Sequence, residues 1–328
     1  MKKIITVFLI CFILIPFASA FFIVSGAESQ KNSETTFLLC GFDEAALNTD
    51  VIILADYSFD DNTISFVHIP RDTYISSSPN CKINAVFPTL ISEGKSKGEA
   101  LSGFGDMLSR SLGTRIDCCI GFSSKAVSGL IDHIGGVNIS LPEQITILDT
   151  AGAVKEIFPK GETHLDGNSS LVFIRARKGY PRGDLDRIDA QKIFIKGFLD
   201  KIRNETNLAE IVKGCVAFKD EWVIEGKLID LFRMLMINRG RIDNISLRFA
   251  NLPGLQLEDN KGIWYYSLNR SASDAMFSVL SFPRMSQVDP DAVYLNYNDE
   301  SFSKVYFGDD IQYKIYDEKS IYDTTIFN

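Results

Sequence analysis

The sequence predicts an α/β fold, a sandwich around a mixed central sheet, preceded by one N-terminal transmembrane helix. β-rich runs alternate with stretches of helical periodicity along most of the chain. Two of those runs, residues 51–57 and 63–69, are separated by turn chemistry short enough to make a hairpin, so the sheet must hold antiparallel as well as parallel pairs. The 328 residues are 45% hydrophobic and 23% charged, which suits a domain with a substantial core and excludes a disordered chain.

The N-terminus comes first in order. Met1-Lys2-Lys3 is followed by an uncharged apolar run over residues 4–26, which meets the roughly 20 residues a helix needs to span hydrocarbon. The two lysines place the N-terminus inside. Ala18-Ser19-Ala20 resembles a signal-peptidase site, but Phe21 to Val24 carry the apolar run past it. The expectation is a retained single-span anchor over residues 1–26, with a cleaved signal peptide as the competing reading. Either one puts the remainder outside the cytoplasmic membrane, and the polar residues 27–35 (AESQKNSET) then form a tether.

Folded sequence begins at residue 36 and one domain is expected to run to residue 285. Residues 37–39, 51–57 (VIILADY) and 63–69 (TISFVHI) read as strands, with Asp60-Asp61-Asn62 turning the last two into a hairpin. Leu101, Phe104, Leu108 and Leu112 recur at helical spacing, as do Val127, Leu130, Ile131 and Ile134, and Gly135-Gly136 stops the second helix. A strand VNISL follows, then loops to Asp166, a strand over residues 171–176 and a helix over 185–203. Residues 208–216 and 228–237 read as helices, 262–268 (GIWYYSL) as a strand, and 272–280 as the last helix. Residues 286–328, including VYLNY and KVYFGDDIQYKIY, alternate as strands do and are expected to form a small appendage.

Composition narrows the chemistry. A formal charge of −8 argues against a nucleic-acid binder while leaving room for a local basic cleft. Cys40, Cys81, Cys118, Cys119 and Cys215 follow the anchor without zinc-ligand spacing, and buried packing is the expected role for them. There is no GxxxxGK[ST], HExxH, GxSxG or GxGxxG, and His68, His133 and His164 stand apart from one another. Hydrolase and nucleotide-binding mechanisms of the common kinds lose their support.

A set of arginines stands out instead: Arg71 in HIPRDTY, and Arg175, Arg177, Lys178, Arg182 and Arg187 in RARKGYPRGDLDR. Read as a strand, 171–176 would send Arg175 and Arg177 out on one face, where two guanidinium forks can grip adjacent phosphates. The bland alternative is a solvated salt-bridge surface with Asp184, Asp186 and Asp189. Arg187 and Gln191 stand one turn apart on the following helix, opposite Ile188, Ile195, Phe198 and Ile202, and add a second donor pair. The hairpin brings Asp50 beside Arg71. That is either a structural ion pair or, with Asp43 just upstream, a pair of hard oxygen donors for a Mg²⁺-pyrophosphate site.

The blocks FLLCGFD, TDVIIL, HIPRDTY, CKINAVF, IGGVNISLP, HLDGNSSLVFIRARKGYPRGDLDRIDAQK, LPG and GIWYY resemble, in their order, the LytR-CpsA-Psr family over residues 36–280. Each block alone is weak; the ordered series is specific. The resemblance implies an α/β/α sandwich with an apolar pocket for a polyprenyl tail. It implies transfer of a phosphoglycosyl polymer, such as teichoic acid or capsule, from polyprenyl pyrophosphate to peptidoglycan outside the membrane. By motif, Asp43 and Asp50 match acids that bind Mg²⁺ (Mn²⁺ as a substitute), and Arg71, Arg175, Arg177, Arg187 and Gln191 match pyrophosphate ligands. Lys82, in KIN, matches a basic rim residue, while Asp72 is expected to orient Arg71. Asp43, Asp50 and Arg71 are the candidate catalytic set, with Asp43 or Asp50 as the base.

Asn48 and Ala190 depart from the family's pattern, which has arginines there. A hydrolase acting on the same carrier and a non-catalytic lipid- or wall-binding regulator remain the alternatives.

Overall fold

The computed structural model describes residues 35–43, 48–58, 60–75, 82–178, 180, 182–204, 208–226, 245–286, 302–306 and 311–323. The expected anchor, all but the last residue of the tether, Cys81, the expected helix at 228–237 and the VYLNY run lie outside them. Among the described residues no helix is long and apolar enough to cross a membrane.

In chain order the strands are β1 (Thr35–Phe42), β2 (Thr49–Ser58), β3 (Thr63–His68), β4 (Cys118–Ser123), β5 (Val137–Leu141), β6 (Ile145–Leu148) and β7 (Val154–Phe158). β8 (Gly161–Leu165), β9 (Trp222–Gly226), β10 (Ser246–Asn251), β11 (Gly254–Asp259), β12 (Trp264–Leu268), β13 (Phe302–Tyr306) and β14 (Ile315–Asp317) follow. The helices are α1 (Val86–Ser92), α2 (Lys97–Leu112), α3 (Ser124–His133), α4 (Gly167–Arg175), α5 (Asp184–Asn204), α6 (Leu208–Ala217) and α7 (Arg270–Val279).

Seven strands form the central sheet in the order β14-β10-β3-β2-β1-β4-β9. β1 is antiparallel to β2 but parallel to β4, and β3 is parallel to β10, so the sheet is mixed as its hairpin requires. Alternation along the strands divides the core in two, because successive side chains leave opposite faces. Phe37, Ile53, Ala55, Phe66 and Ile120 join Leu130 of α3, Phe173 of α4 and Phe198 of α5 on one side. Leu38, Cys40, Leu54 and Val67 join Phe87 of α1, Phe104 of α2 and Met276 of α7 on the other. Cys40, Cys118, Cys119 and Cys215 are buried within these layers, and burial pushes the Cys118 and Cys119 thiols up to about 12.

One local reading needs revision. Residues 171–176 are the end of helix α4 rather than a strand: Asp166 Oδ1 accepts a hydrogen bond from Ser169 N at 2.7 Å and caps it. The Leu-Val-Phe-Ile run looks β-like because it is buried, with Val172, Phe173 and Ile174 all in the core. Arg175 and Arg177 therefore do not alternate on one strand. The C-terminal stretch, for its part, adds an edge strand to each of two sheets, β14 beside β10 and β13 beside β11.

The hairpin register decides where the chemistry lies. β2 and β3 pair Ile53 with His68, and Ile69 N donates to Ile52 O at 2.9 Å, so the register carries on to set Asp50 against Arg71. The ends of β1 and β4 meet the start of β2 at the same edge, through Phe42–Thr49 and Phe42–Ser123. Strand ends of this kind are where open α/β sheets bind their ligands.

Candidate active site

Arg71 is fixed by the short turn that follows β3. Thr73 closes that turn on the Pro70 carbonyl with its N–H at 2.9 Å and its hydroxyl at 2.6 Å. From there the Arg71 guanidinium donates to Asp50 Oδ1 through Nη1. Its Nε lies 3.7 Å from Asp184 Oδ1 and 3.9 Å from Asp72 Oδ2. Asp72, expected to orient Arg71, is more closely engaged with Lys82, whose Nζ donates to its Oδ1 at 2.8 Å. The same ammonium sits 5.5 Å from the centre of the Tyr265 ring.

The first turn of α5 supplies the other half of the site. Gly183, at φ 55°, takes a left-handed conformation that side chains resist, and α5 starts immediately after it. Asp184 and Arg187 then share a face at i, i+3, with Arg187 Nη2 2.6 Å from Asp184 Oδ1 and donating to the Asp50 carbonyl at 3.0 Å. Arg187 is only 2% exposed. Burial pulls its pKa down, Asp184 and Asp50 push it back up, and Arg71 and Arg177 add repulsion. Burial raises the Asp184 carboxyl above the usual carboxylate range, an effect that Arg187, Arg71 and Arg177 oppose and Asp72 reinforces. Arg71, Arg177 and Arg187 thus form one electrostatic group around Asp50, Asp72 and Asp184.

Asp184 was absent from the predicted site, yet it lies at the centre of the cluster. Its signal was available in the sequence: a glycine just before a helix start, then a carboxylate three residues ahead of an arginine. Both of its oxygens, together with Arg71 Nε and Arg187 Nε, are buried without a hydrogen-bond partner among the described residues. Buried polar groups are normally satisfied. Two N–H donors without hydrogen bonds, beside a carboxylate that is engaged only through ion pairs, suit an anion and a cation bound together, which is the chemistry of a diphosphate with its metal.

The remaining predicted residues divide. Asp43 closes its own loop: it accepts from Asn48 N at 3.3 Å and from Asn48 Nδ2 at 3.2 Å, so Asn48 holds that acid. Arg175 reaches the start of α3, donating to Ser124 Oγ at 2.9 Å, and is exposed there. Lys178 donates to the Thr150 carbonyl. Gln191 is buried and donates to the Ile174 carbonyl at 3.1 Å. Arg182 is taken up by Asp186 at 2.9 Å and Asp189 at 3.3 Å, outside the cluster.

Gln191 also lines an apolar cavity between the sheet and helices α3 and α5, with about 950 Å³ of space unfilled by protein, part of it at an open mouth. Leu39, Ile53, Phe66, Ile131, Phe194 and Trp222 are among its walls. Val51 adjoins Asp50 in the chain and Gln191 stands one turn from Arg187 on α5, so one end of the cavity lies toward the arginine cluster. A long hydrocarbon could be shielded inside while a charged head stayed at the sheet end.

Known proteins resemble the chain in sequence and in fold. The chain is 27% identical over 195 residues to the polyisoprenyl-teichoic acid–peptidoglycan teichoic acid transferase TagV of Bacillus subtilis, covering 56% of this chain and 48% of that protein. It is 29% identical over 231 residues to the cell wall biosynthesis protein LcpA of Corynebacterium glutamicum, covering 61% and 44%. The chain thus spans about half the length of these two relatives. With a Bacillus mycoides TagU transferase the match is 25% over 253 residues, 74% of this chain and 76% of that one. Among solved structures, protein gbs0355 of Streptococcus agalactiae shares the fold with a TM-score of 0.63 at 20% identity, over 80% of this chain and 93% of that one. B. subtilis TagV does so with a TM-score of 0.58 at 19% identity, over 77% and 97%. Since the LytR_cpsA_psr family model matches residues 20–281, nearly all of the described sandwich, the chain belongs to that family.

Proposed function

We propose that the chain transfers a phosphoglycosyl polymer from a polyprenyl-pyrophosphate carrier to peptidoglycan, held at the outer face of the membrane by its N-terminal apolar run. One observation carries the reading: a buried cluster of arginines and carboxylates with unsatisfied donors and acceptors stands at the end of an apolar cavity. Relatives named as teichoic acid transferases support it. TagT bound to LIIa-WTA is a solved structure of the same fold.

In this mechanism the cavity takes the prenyl tail, and Arg71, Arg187 and Arg177 hold the diphosphate at the sheet end, with Lys82 and Arg175 on its rim. Gln191 braces the α4 carbonyl next to the lipid. Phosphoryl transfer asks chiefly for positioning and charge stabilisation, which fixed guanidinium groups supply. The acceptor hydroxyl gives its proton to a carboxylate, Asp50 being the better placed because Asn48 occupies both oxygens of Asp43. The oxygen–phosphorus bond to the acceptor forms as the bond to polyprenyl phosphate breaks, and polyprenyl phosphate leaves. Asp50, with Asp43 or Asp184 beside it, would hold Mg²⁺ or Mn²⁺, which would neutralise diphosphate oxygens. The Asp184 oxygens, which accept no hydrogen bond among the described residues, fit such an ion.

Incubating the membrane-reconstituted chain with labelled polyprenyl-pyrophosphate oligosaccharide and peptidoglycan tests the proposal. Label should move to the insoluble wall. Release of free oligosaccharide alone would favour a hydrolase, and tight carrier binding without turnover would favour a regulator.

A further inference from the structure

Strands β12, β11 and β13 form a three-stranded sheet that packs on the side of the molecule away from the cavity, with Tyr266 and Leu268 in the core layer opposite the one the cavity occupies. Its far end is unlike an ordinary surface. Trp264 is 43% exposed and Tyr306 40% exposed, and the two rings stack with centroids 4.9 Å apart and planes 28° from parallel. A polar edge flanks them: Glu258 accepts from Lys304 at 3.0 Å and from the Tyr306 hydroxyl at 3.3 Å. Large exposed rings side by side, held flat and rimmed by fixed charges, mark a binding surface more than a packing remnant.

We propose that this aromatic shelf is the docking subsite for the acceptor glycan strand. Sugar rings present an apolar C–H face that lies on an aromatic plane and hydroxyl edges that bond to flanking carboxylates and ammonium groups. Trp264 with Tyr306 offers the plane, and Glu258 with Lys304 offers the edge. Continuity with the reaction centre favours the acceptor over other occupants. Tyr265, which follows Trp264 on β12 and faces the other way, carries Lys82 on its ring, and Lys82 pairs with Asp72 beside Arg71. Tyr266 N donates to the Asp72 carbonyl at 2.9 Å, so β12 is hydrogen-bonded to the arginine's own loop. The carrier tail would approach the sheet end from the cavity side. The shelf lies on the other side, clear of the cavity's lining.

The proposal rests on the transferase reading, so its test measures binding directly. The full chain, reconstituted in nanodiscs, is titrated with soluble, uncrosslinked peptidoglycan glycan strands. Trp264→Ala should weaken binding on the order of tenfold, the scale of one lost aromatic contact, with Trp264→Phe retaining most of it. In transfer assays Trp264→Ala should raise KM for the acceptor while kcat and affinity for the lipid-linked donor hold. Strand binding equal to wild type in Trp264→Ala, or a loss of donor affinity in its place, would overturn the assignment. Trp264-dependent strand binding by a chain that transfers nothing would uphold the shelf and remove the transferase reading instead.

Discussion

Helix α5 carries two charged groups in its first three turns, and they are built to opposite ends. Asp186 accepts from Arg182 N at 2.8 Å and Nε at 2.9 Å, while Asp189 accepts from Arg182 at 3.3 Å and from Lys192 at 2.8 Å. Lys192, almost fully buried, also faces the Tyr316 ring at 4.9 Å. Two residues before Asp186, Asp184 has ion-pair neighbours but no hydrogen bond to either oxygen among the described residues. The first network is satisfied internally and the second is left wanting ligands. Charge density alone does not mark a functional site; buried groups whose bonding is incomplete do.

The comparison breaks most visibly through stability. Asp189→Ala leaves Lys192 buried without its carboxylate, and stranded buried charges cost about 3–5 kcal/mol, a Tm loss on the order of 10 °C for a domain of this size. Transfer per folded molecule should hold, as judged by activity normalised to the native fraction. A large loss of specific activity with an unchanged Tm would move that network into the site.

Arg71→Ala should behave in the reverse way. Removing one preorganised charge-stabilising group typically lowers turnover roughly 10²–10³-fold, while the fold remains intact. Arg71→Lys should recover little, since an ammonium cannot serve Asp50 and a phosphate through a planar fork. Asp50→Asn should also slow transfer, with added Mg²⁺ restoring only part. Near-normal transfer by Arg71→Ala or Asp50→Asn would make the pair structural.

How much of this was legible follows from the range of the interactions. The Asp50–Arg71 pair was readable because a hairpin is local and its register propagates. The start of α5 was readable from periodicity, but which of its carboxylates would be left without hydrogen bonds was not, and Asp184, Asp186 and Asp189 looked alike. The helix α4 was misread because burial on a helix and pairing in a sheet select the same apolar residues, and the cap at Asp166 was the overlooked clue. The pairing of β14 with β10 and of β13 with β11 joins segments more than forty residues apart, and no local signal announces it.

A smaller effect asks whether the cluster depends on its cavity. Leu39→Trp would place an indole in space the cavity leaves open, so its cost in stability should stay under the ~1–3 kcal/mol usual for overpacking. Donors with a full-length prenyl chain should bind more weakly, while short-chain donors keep their KM. Equal loss for both chain lengths would detach the cavity from the carrier.

The finest contrast lies in pH. Burial raises the Asp184 carboxyl, so the folded chain holds that proton to a higher pH than the unfolded chain, whose carboxylates titrate near ~3.9. Between those values the folded state binds more protons, and stability therefore falls as pH rises through the window. The contribution of Asp184 is full at pH below ~3.9 and is lost once the pH passes the raised value. Asp184→Asn removes the titration but leaves Arg187 where it is, so the stability of wild type relative to Asp184→Asn should decline as pH rises from acid toward neutrality. Denaturant melts of both proteins across that range, without added diphosphate or metal, give the difference directly. A difference that does not change with pH would mean that Arg71, Arg177 and Arg187 already compensate Asp184 in full. The two charged groups on α5 would then be alike, and incomplete bonding would no longer distinguish the site.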